Sequence, residues 1–235
     1  MLRGLALVAG IAALAAPGAR AFPHAPGCVR VDAGGVPALR CGPAQGARAA
    51  IVLHGCGGFS TFDHRLATGL PAYGISTLYL DYFAPTPPPG RRGFCGGGGG
   101  GPDPFPVWER VVTQAAHALR AHYRRVAAVG WSLGAGVAIS AAEDRQPFDA
   151  IAAFSALAFP PSLARAGRLP PTIFLDGGAH DIVPPSNTRA LYGAARRAHV
   201  PAAEFIYGNG THNWPGAQGS AGIARAAAFL LRYLS

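Results

Sequence analysis

Short apolar runs alternate along this chain with longer stretches in which apolar residues recur every three or four positions. The apolar runs predict buried strands at residues 49–53, 76–80, 125–129, 150–154, 172–175 and 204–207. The amphipathic stretches predict helices at residues 64–73, 107–123, 135–143, 187–199 and 222–234. Such alternation is typical of an α/β fold, a doubly wound and mostly parallel sheet with helices on both faces. Its ligand site lies at the carboxyl ends of the strands.

Turn-forming residues interrupt this pattern at two places. Gly34-Gly35 is the two-residue turn of a hairpin that we predict over residues 28–41. Residues 84–106 hold four prolines before Cys95 and six glycines at 96–101, a composition that predicts a surface loop. The segment between residues 154 and 172 is too short for a separate lid. We therefore expect one domain with an open site.

The first residues have the pattern of a secretory signal peptide. Arg3 supplies a positive charge, residues 5–16 form an apolar run, and Ala19-Arg20-Ala21 matches a small-x-small cleavage site. The apolar run is shorter than the roughly 20 residues of a membrane span. We expect cleavage after Ala21, a mature domain of residues 22–235, a secreted or periplasmic location and no stable membrane anchor.

All 20 basic residues of the chain are arginines, and the formal net charge is +9. Loss of Arg3 and Arg20 with the signal peptide lowers this charge to +7. The arginines lie singly or in pairs without an interleaved aromatic stripe, so we interpret them as a solvated surface and expect no nucleic-acid partner. The oligomeric state stays open.

Four cysteines in an exported chain predict two disulfides, for which three pairings exist. A hairpin around Gly34-Gly35 places Cys28 directly opposite Cys41, in a non-hydrogen-bonded pair within disulfide reach. This pairing leaves Cys56 for Cys95. The histidines and cysteines lack the spacing of zinc ligands, and we expect neither a metal nor a cofactor.

Gly130-Trp131-Ser132-Leu133-Gly134 lies between a predicted strand and a predicted helix. A Gly-x-Ser-x-Gly at a strand-to-helix turn is typical of a nucleophile elbow, in which the glycines permit a tight backbone and the serine hydroxyl stands above the sheet. We therefore expect Ser132 to be a catalytic nucleophile. The alternative is a small residue at a glycine-rich turn.

A serine nucleophile needs a base, and the base needs an orienting group. His212 follows the last predicted strand and is the candidate base, because an imidazole exchanges protons near neutral pH. Asp181 follows the preceding strand and is the candidate acid that orients the imidazole. His180 and Asp176 are the competing candidates. Either aspartate could instead only cap its turn.

An oxyanion hole needs two backbone amides. Leu133, the residue after the nucleophile, supplies one at a helix N-terminus. The loop that begins at His54-Gly55 is expected to supply the second, from the amide of Cys56. Residues 54–58 could also be an ordinary turn, and no Gly-Lys-Ser/Thr follows them to suggest a phosphate loop.

Residues 48–234 resemble the α/β-hydrolase superfamily, and within it the dienelactone hydrolase family. The resemblance rests on His54-Gly55-Cys56-Gly57-Gly58, Gly130 to Gly134, Asp181-Ile182-Val183-Pro184 and Thr211-His212. It implies the α/β-hydrolase fold and the order serine, acid, histidine. The namesake enzymes use a cysteine nucleophile and arginines that hold a carboxylate. This chain has a serine and lacks arginines that align with those, so we expect a substrate other than dienelactone.

The sequence thus predicts a serine hydrolase that cleaves small-molecule carboxylic esters through an acyl-serine. We expect aromatic residues near the active loops to rim its pocket: Trp131, Tyr82, Phe83 and Trp214. A peptidase or acyltransferase on the same scaffold is one alternative. A binding protein that keeps the fold without turnover is another.

Overall fold

The computed structural model describes residues 22, 25–86, 95 and 103–235. The expected signal peptide, residues 1–21, lies outside them, as does most of the expected loop at 84–106. In the described part the strands are β1 Cys28–Asp32, β2 Pro37–Cys41, β3 Gly46–Leu53, β4 Ser76–Leu80, β5 Tyr123–Trp131, β6 Ala150–Phe154, β7 Thr172–Asp176 and β8 Ala202–Ile206. They form one sheet in the order β1-β2-β4-β3-β5-β6-β7-β8. The pairs β1/β2 and β2/β4 are antiparallel, and all pairs from β4/β3 to β7/β8 are parallel.

Helices connect the parallel strands. Those of the described residues are α1 Thr61–Gly69, α2 Phe105–Arg120, α3 Leu133–Arg145, α4 Pro160–Ala164, α5 Pro185–Arg197 and α6 Gly216–Tyr233. Short 3₁₀ turns at Leu70–Tyr73 and Ala166–Arg168 follow α1 and α4. The predicted α/β architecture is therefore confirmed.

The two faces of the sheet carry separate apolar cores because successive side chains of a strand point to opposite faces. Ile51 and Leu53 of β3 belong to the core under α2, α3 and α5. Ala50 and Val52 of the same strand belong to the core under α1 and α6. The central strands are thus buried on both sides, which explains why they are apolar runs rather than alternating ones.

Three helices differ most from the sequence-based prediction. The first begins at Thr61, where Ser60 forms a capping box with Asp63, and its α-helical part ends before Pro71. The last helix begins at Gly216, six residues before the predicted start. The prediction missed residues 216–221 because they are small or polar and carry no apolar periodicity. Helix α4 lies between residues 154 and 172, where no helix was predicted, and Pro160 at its first position is compatible with a helix start.

The N-terminal hairpin has the expected register. Cys28 is the partner of Cys41 across the ladder, and their sulfur atoms lie 2.02 Å apart. Gly34 and Gly35 both have positive φ, 72° and 86°, as the turn requires. The sulfurs of Cys56 and Cys95 lie 2.30 Å apart. Both pairs are therefore at disulfide distance, in the pairing that the hairpin geometry predicted.

No helix within the described ranges combines the length and the apolar character needed to cross a membrane.

Candidate active site

Ser132 occupies a sharp turn between β5 and α3. Its backbone is strained, with φ 55° and ψ −121°, and its amide donates to the carbonyl of Phe154 at 2.8 Å. A Cβ on Gly130 would lie 2.5 Å from the amide nitrogen of Ala135, and one on Gly134 would lie 2.6 Å from the carbonyl oxygen of His54. Both glycines are therefore required sterically. The turn leaves Ser132 partly exposed at the carboxyl end of the sheet.

His212 and Asp181 are hydrogen-bonded to each other. The imidazole Nδ1 lies 2.7 Å from Asp181 Oδ1, although the residues are far apart in sequence. Two isolated β-bridges join the loops that carry Asp181 and His212. One pairs Gly178 with Asn209, and the other pairs His180 with Thr211. Trp131, the neighbour of Ser132, packs against His212 with ring centroids 5.0 Å apart.

The Asp181 carboxylate accepts two hydrogen bonds at each oxygen. Oδ1 accepts from the Val183 amide at 2.9 Å as well as from His212, and Oδ2 accepts from Ser155 Oγ at 2.5 Å and from the Gly177 amide at 3.0 Å. Burial raises the pKa of Asp181, but the bonds from His212, Ser155 and Val183 outweigh it, so the pKa lies below its ordinary value. Asp181 is therefore ionised at neutral pH, and the shared proton resides on His212 Nδ1.

The competing candidates, Asp176 and His180, lie in other surroundings. Asp176 accepts from the Gly178 amide at 2.8 Å and from Thr188 Oγ1 at 3.0 Å. Burial raises the pKa of Asp176. It thus ties the end of β7 to α5. The His180 side chain is exposed on the same loop. The structure brings Asp181, rather than Asp176, to His212.

A tight turn at Gly55–Gly58 lies beside Ser132. The Gly58 amide donates to the Gly55 carbonyl at 3.0 Å, which makes Cys56 and Gly57 the central residues of the turn. A Cβ on Gly55 would lie 2.9 Å from the Trp131 ring and 3.4 Å from Ser132 Cβ. The backbone of the turn therefore packs directly against the elbow, and the Cys56–Cys95 pair ties the turn to the segment that follows β4.

His54, the residue before this turn, holds the turn in place through contacts of its buried side chain. Its side chain is buried, with Nδ1 2.9 Å from the Gly55 carbonyl and Nε2 3.7 Å from Asp81 Oδ1. The Tyr82 ring stacks on the imidazole at 4.3 Å, and the Tyr82 hydroxyl donates to the His54 carbonyl at 2.8 Å. These contacts hold the start of the turn against the residues that follow β4.

The predicted aromatic rim needs correction. Tyr82 and Trp214 are 0 % exposed and therefore cannot line an open pocket. Tyr82 packs under His54, and Trp214 stacks on Phe62 with ring centroids 5.6 Å apart. Phe83 is 2 % and Trp131 8 % exposed. These large rings fill the apolar layer beneath the site because aromatic area is the most favourable to bury.

Ser155 was not among the predicted site residues, yet it directly contacts Asp181. It follows β6 as Ser132 follows β5. A polar residue immediately after a buried apolar strand was a usable signal, because the carboxyl ends of parallel strands meet at one edge of the sheet. In the described part of the chain, no group of three or more histidine, cysteine, aspartate or glutamate side chains is arranged to hold a metal ion.

Comparison with known proteins gives fold relatives and no sequence relatives. No protein-family profile matches the chain. No curated protein matches it significantly either. A dienelactone hydrolase from Anabaena variabilis has 18 % identity and a TM-score of 0.70 over 88 % of this chain and 97 % of its own. An esterase/lipase from an uncultured bacterium has 16 % identity and a TM-score of 0.68 over 94 % of each chain.

An esterase from Pyrococcus furiosus is also similar, with 15 % identity and a TM-score of 0.70 over 88 % of this chain and 92 % of its own. At such identities the likeness concerns the fold. TM-scores of 0.68 to 0.70 over most of each chain show that the three proteins share the fold of this chain.

Proposed function

Because this chain has the α/β-hydrolase fold, we propose that it is a serine hydrolase of the dienelactone hydrolase type, which cleaves carboxylic esters through an acyl-serine intermediate. Ser132 is the nucleophile, His212 the general base and then the general acid, and Asp181 the group that orients His212. The amides of Cys56 and Leu133 bind the oxyanion.

The observation that carries this proposal is the hydrogen bond between His212 Nδ1 and the ionised Asp181, next to a strained serine elbow. In the neutral ring, a carboxylate that accepts from Nδ1–H leaves Nε2 unprotonated. That nitrogen is the acceptor that a serine hydroxyl needs, because the hydroxyl is a weak nucleophile until a base takes its proton.

The reaction then has two balanced halves. Ser132 Oγ forms a bond to the ester carbonyl carbon while its proton passes to His212 Nε2, and collapse of the tetrahedral intermediate breaks the carbon–oxygen bond of the ester. His212 gives that proton to the departing alkoxide. A water molecule next loses a proton to His212 and attacks the acyl-serine, which releases the acid and returns the proton to Ser132.

Two features support oxyanion binding at this turn. Leu133 is the first residue of α3, so its amide has no partner within the helix and lies at the positive end of the helix dipole. Cys56 follows Gly55, whose backbone packs against Ser132. In the proposed mechanism the amides at these two positions donate to the substrate oxygen as negative charge develops on it.

The proposed substrate is a small-molecule ester, and the chemistry proposed here uses no cofactor. Solved structures named as esterases share the fold, which favours esters over amides as the first class to test. The pocket is proposed to include the edge of Trp131, the most exposed of the four aromatic residues.

A fluorophosphonate that attaches to activated serines tests the proposal directly. We expect mass spectrometry to find one adduct, on Ser132, that is absent from Ser132→Ala and His212→Ala. Hydrolysis of short p-nitrophenyl esters should be lost in the same two variants and kept in Ser235→Ala, a control at the end of the chain. A folded protein without an adduct would contradict the proposal and favour a binding protein. Adduct formation with turnover of amides only would favour a peptidase.

We also propose that the chain is exported and that residues 22–235 are the mature domain. Two cysteine pairs at disulfide distance support an oxidising compartment. N-terminal sequencing of the protein from its native producer should begin at Phe22, and an intact Met1 would contradict this.

A further inference from the structure

Ser155 holds an unusual place in the structure. It follows β6 directly, its side chain is completely buried, and its φ is positive at 48°. Its amide donates to the carbonyl of Leu175 at 2.7 Å, which fixes the backbone at the end of β7. A positive φ is uncommon for a residue other than glycine, and such strain persists where the surrounding structure holds it in place.

The Ser155 hydroxyl bridges two buried groups, the indole of Trp214 and the carboxylate of Asp181. Trp214 Nε1 donates to Ser155 Oγ at 3.1 Å, and Ser155 Oγ donates to Asp181 Oδ2 at 2.5 Å. An indole N–H only donates and a carboxylate only accepts, whereas a hydroxyl does both. The bond from Trp214 therefore occupies a lone pair of the hydroxyl and directs its proton toward Asp181.

We propose that Ser155 is a positioning residue for the reaction: its hydroxyl, held by the indole of Trp214, turns the Asp181 carboxylate so that Oδ1 faces His212. This inference rests on the proposed function. Trp214 lies two residues after His212, so one loop supplies both the imidazole and the donor that anchors its aspartate. The chain of bonds runs Trp214, Ser155, Asp181, His212.

The electrostatics of Asp181 agree with this role. The hydrogen bond from Ser155 is one of those that hold the pKa of Asp181 below its ordinary value despite burial. Asp176 at the end of β7 is a neighbouring carboxylate, and the charge of Asp181 raises the pKa of Asp176. On the side of β5, the ring of Trp131 packs against His212.

A matched control lies between the end of β7 and helix α5. Thr188 Oγ1 donates to Asp176 Oδ2 at 3.0 Å, and both side chains are buried. This pair repeats the hydroxyl-to-carboxylate bond without contact to His212. Thr188→Val therefore measures the structural cost of losing such a bond, and Ser155→Ala measures the same cost together with any effect on His212.

The test compares wild type, Ser155→Ala, Trp214→Phe and Thr188→Val in hydrolysis of p-nitrophenyl acetate across pH. In Ser155→Ala we expect kcat to fall about tenfold with little change in KM, because a misdirected aspartate mainly affects the transition state. The acid limb of the kcat/KM profile should move to higher pH, since a carboxylate with one donor fewer holds the imidazole proton more strongly. Trp214→Phe should lower kcat and move the acid limb to higher pH as well, but by smaller amounts than Ser155→Ala.

Thr188→Val should keep the wild-type kcat and pH profile. Wild-type kcat in a folded Ser155→Ala, or an equal loss in Thr188→Val, would overturn the inference. Proton NMR separates this result from a failure of the proposed function. Should the wild type lack turnover, the downfield resonance of the His212 Nδ1–H still reports the bond to Asp181. That resonance should shift or broaden in Ser155→Ala and stay in place in Thr188→Val, and no change in Ser155→Ala would overturn the inference.

Discussion

The Trp131 indole Nε1 donates a 2.8 Å hydrogen bond to the backbone carbonyl of His212. The residue before the proposed nucleophile thus holds the loop of the proposed base, and the bond fixes the distance between them. On the other side of the same ring, a Cβ on Gly55 would lie 2.9 Å away, so Trp131 also supports the turn of the proposed oxyanion hole.

Replacing this indole tests its role in holding the loop. Trp131→Phe keeps a ring at the site and removes the N–H, so we expect kcat to fall about fivefold, which corresponds to one net hydrogen bond. Steady-state kinetics with a p-nitrophenyl ester measure it. Trp108→Phe is the control, because Trp108 Nε1 bonds Thr86 Oγ1 at 2.9 Å in the buried layer. An equal loss of kcat in the control would contradict a specific role for Trp131.

The elbow glycines should not tolerate a side chain. In Gly134→Ala the new methyl group would meet the carbonyl of His54 at 2.6 Å, and we expect a loss of about 3 kcal/mol in the free energy of unfolding. Urea denaturation measures it. Gly208→Ala serves as the control because no atom lies within 4 Å of its added Cβ. A Gly134→Ala variant as stable as the wild type would contradict the prediction, because the elbow would then accommodate the methyl group.

The two cysteine pairs should have separable effects. Cys28→Ser/Cys41→Ser removes a bond that closes a 13-residue separation in the edge hairpin, and we expect about 3 kcal/mol lower stability with unchanged kcat. Cys56→Ser/Cys95→Ser frees the turn beside Ser132, and we expect lower kcat with little change in KM. Urea denaturation and ester kinetics on both double variants measure this. Unchanged kcat in the second variant would exclude a role in holding the oxyanion turn.

Glu143 should make stability depend on pH. Burial raises its pKa from 4.5 to about 7, although Arg165, whose Nη2 lies 3.6 Å from Oε2, and Ser162 lower it. The folded state therefore favours the neutral acid. Its stabilising contribution is complete below about pH 4.5 and is lost as pH rises to about 7.

Glu143→Gln keeps the neutral shape at every pH. We expect the urea midpoint of wild type to decline from pH 5 to pH 8 and that of Glu143→Gln to decline less. Asp144→Asn, at the half-exposed neighbouring carboxylate that bonds Arg165 at 2.5 Å, should keep most of the decline. A wild-type midpoint that rises over this range, with no difference in Glu143→Gln, would contradict the prediction.

Much of the fold could be predicted because its signals are local. The apolar runs end within two residues of the ends of the central strands, and the Gly34-Gly35 turn sets the register that places Cys28 opposite Cys41. Helix ends were less predictable, since residues 216–221 join α6 through packing: a Cβ on Gly219 would lie 2.9 Å from the Arg65 guanidinium. Small residues carry no periodic pattern, so their place in a helix depends on what they contact.

The candidate site was likewise predictable from the sequence where its signals are local, and not where it depends on tertiary contacts. The sequence by itself determined the strand-to-helix elbow around Ser132 and the position of candidate acids and bases after strand ends, because backbone geometry over a few residues decides both. Only the tertiary structure decided that Asp181 rather than Asp176 meets His212, that Tyr82 and Trp214 are buried, and that Ser155 reaches Asp181. These contacts join loops that follow different strands, and burial and hydrogen-bond partners there depend on how the strands are ordered in the sheet.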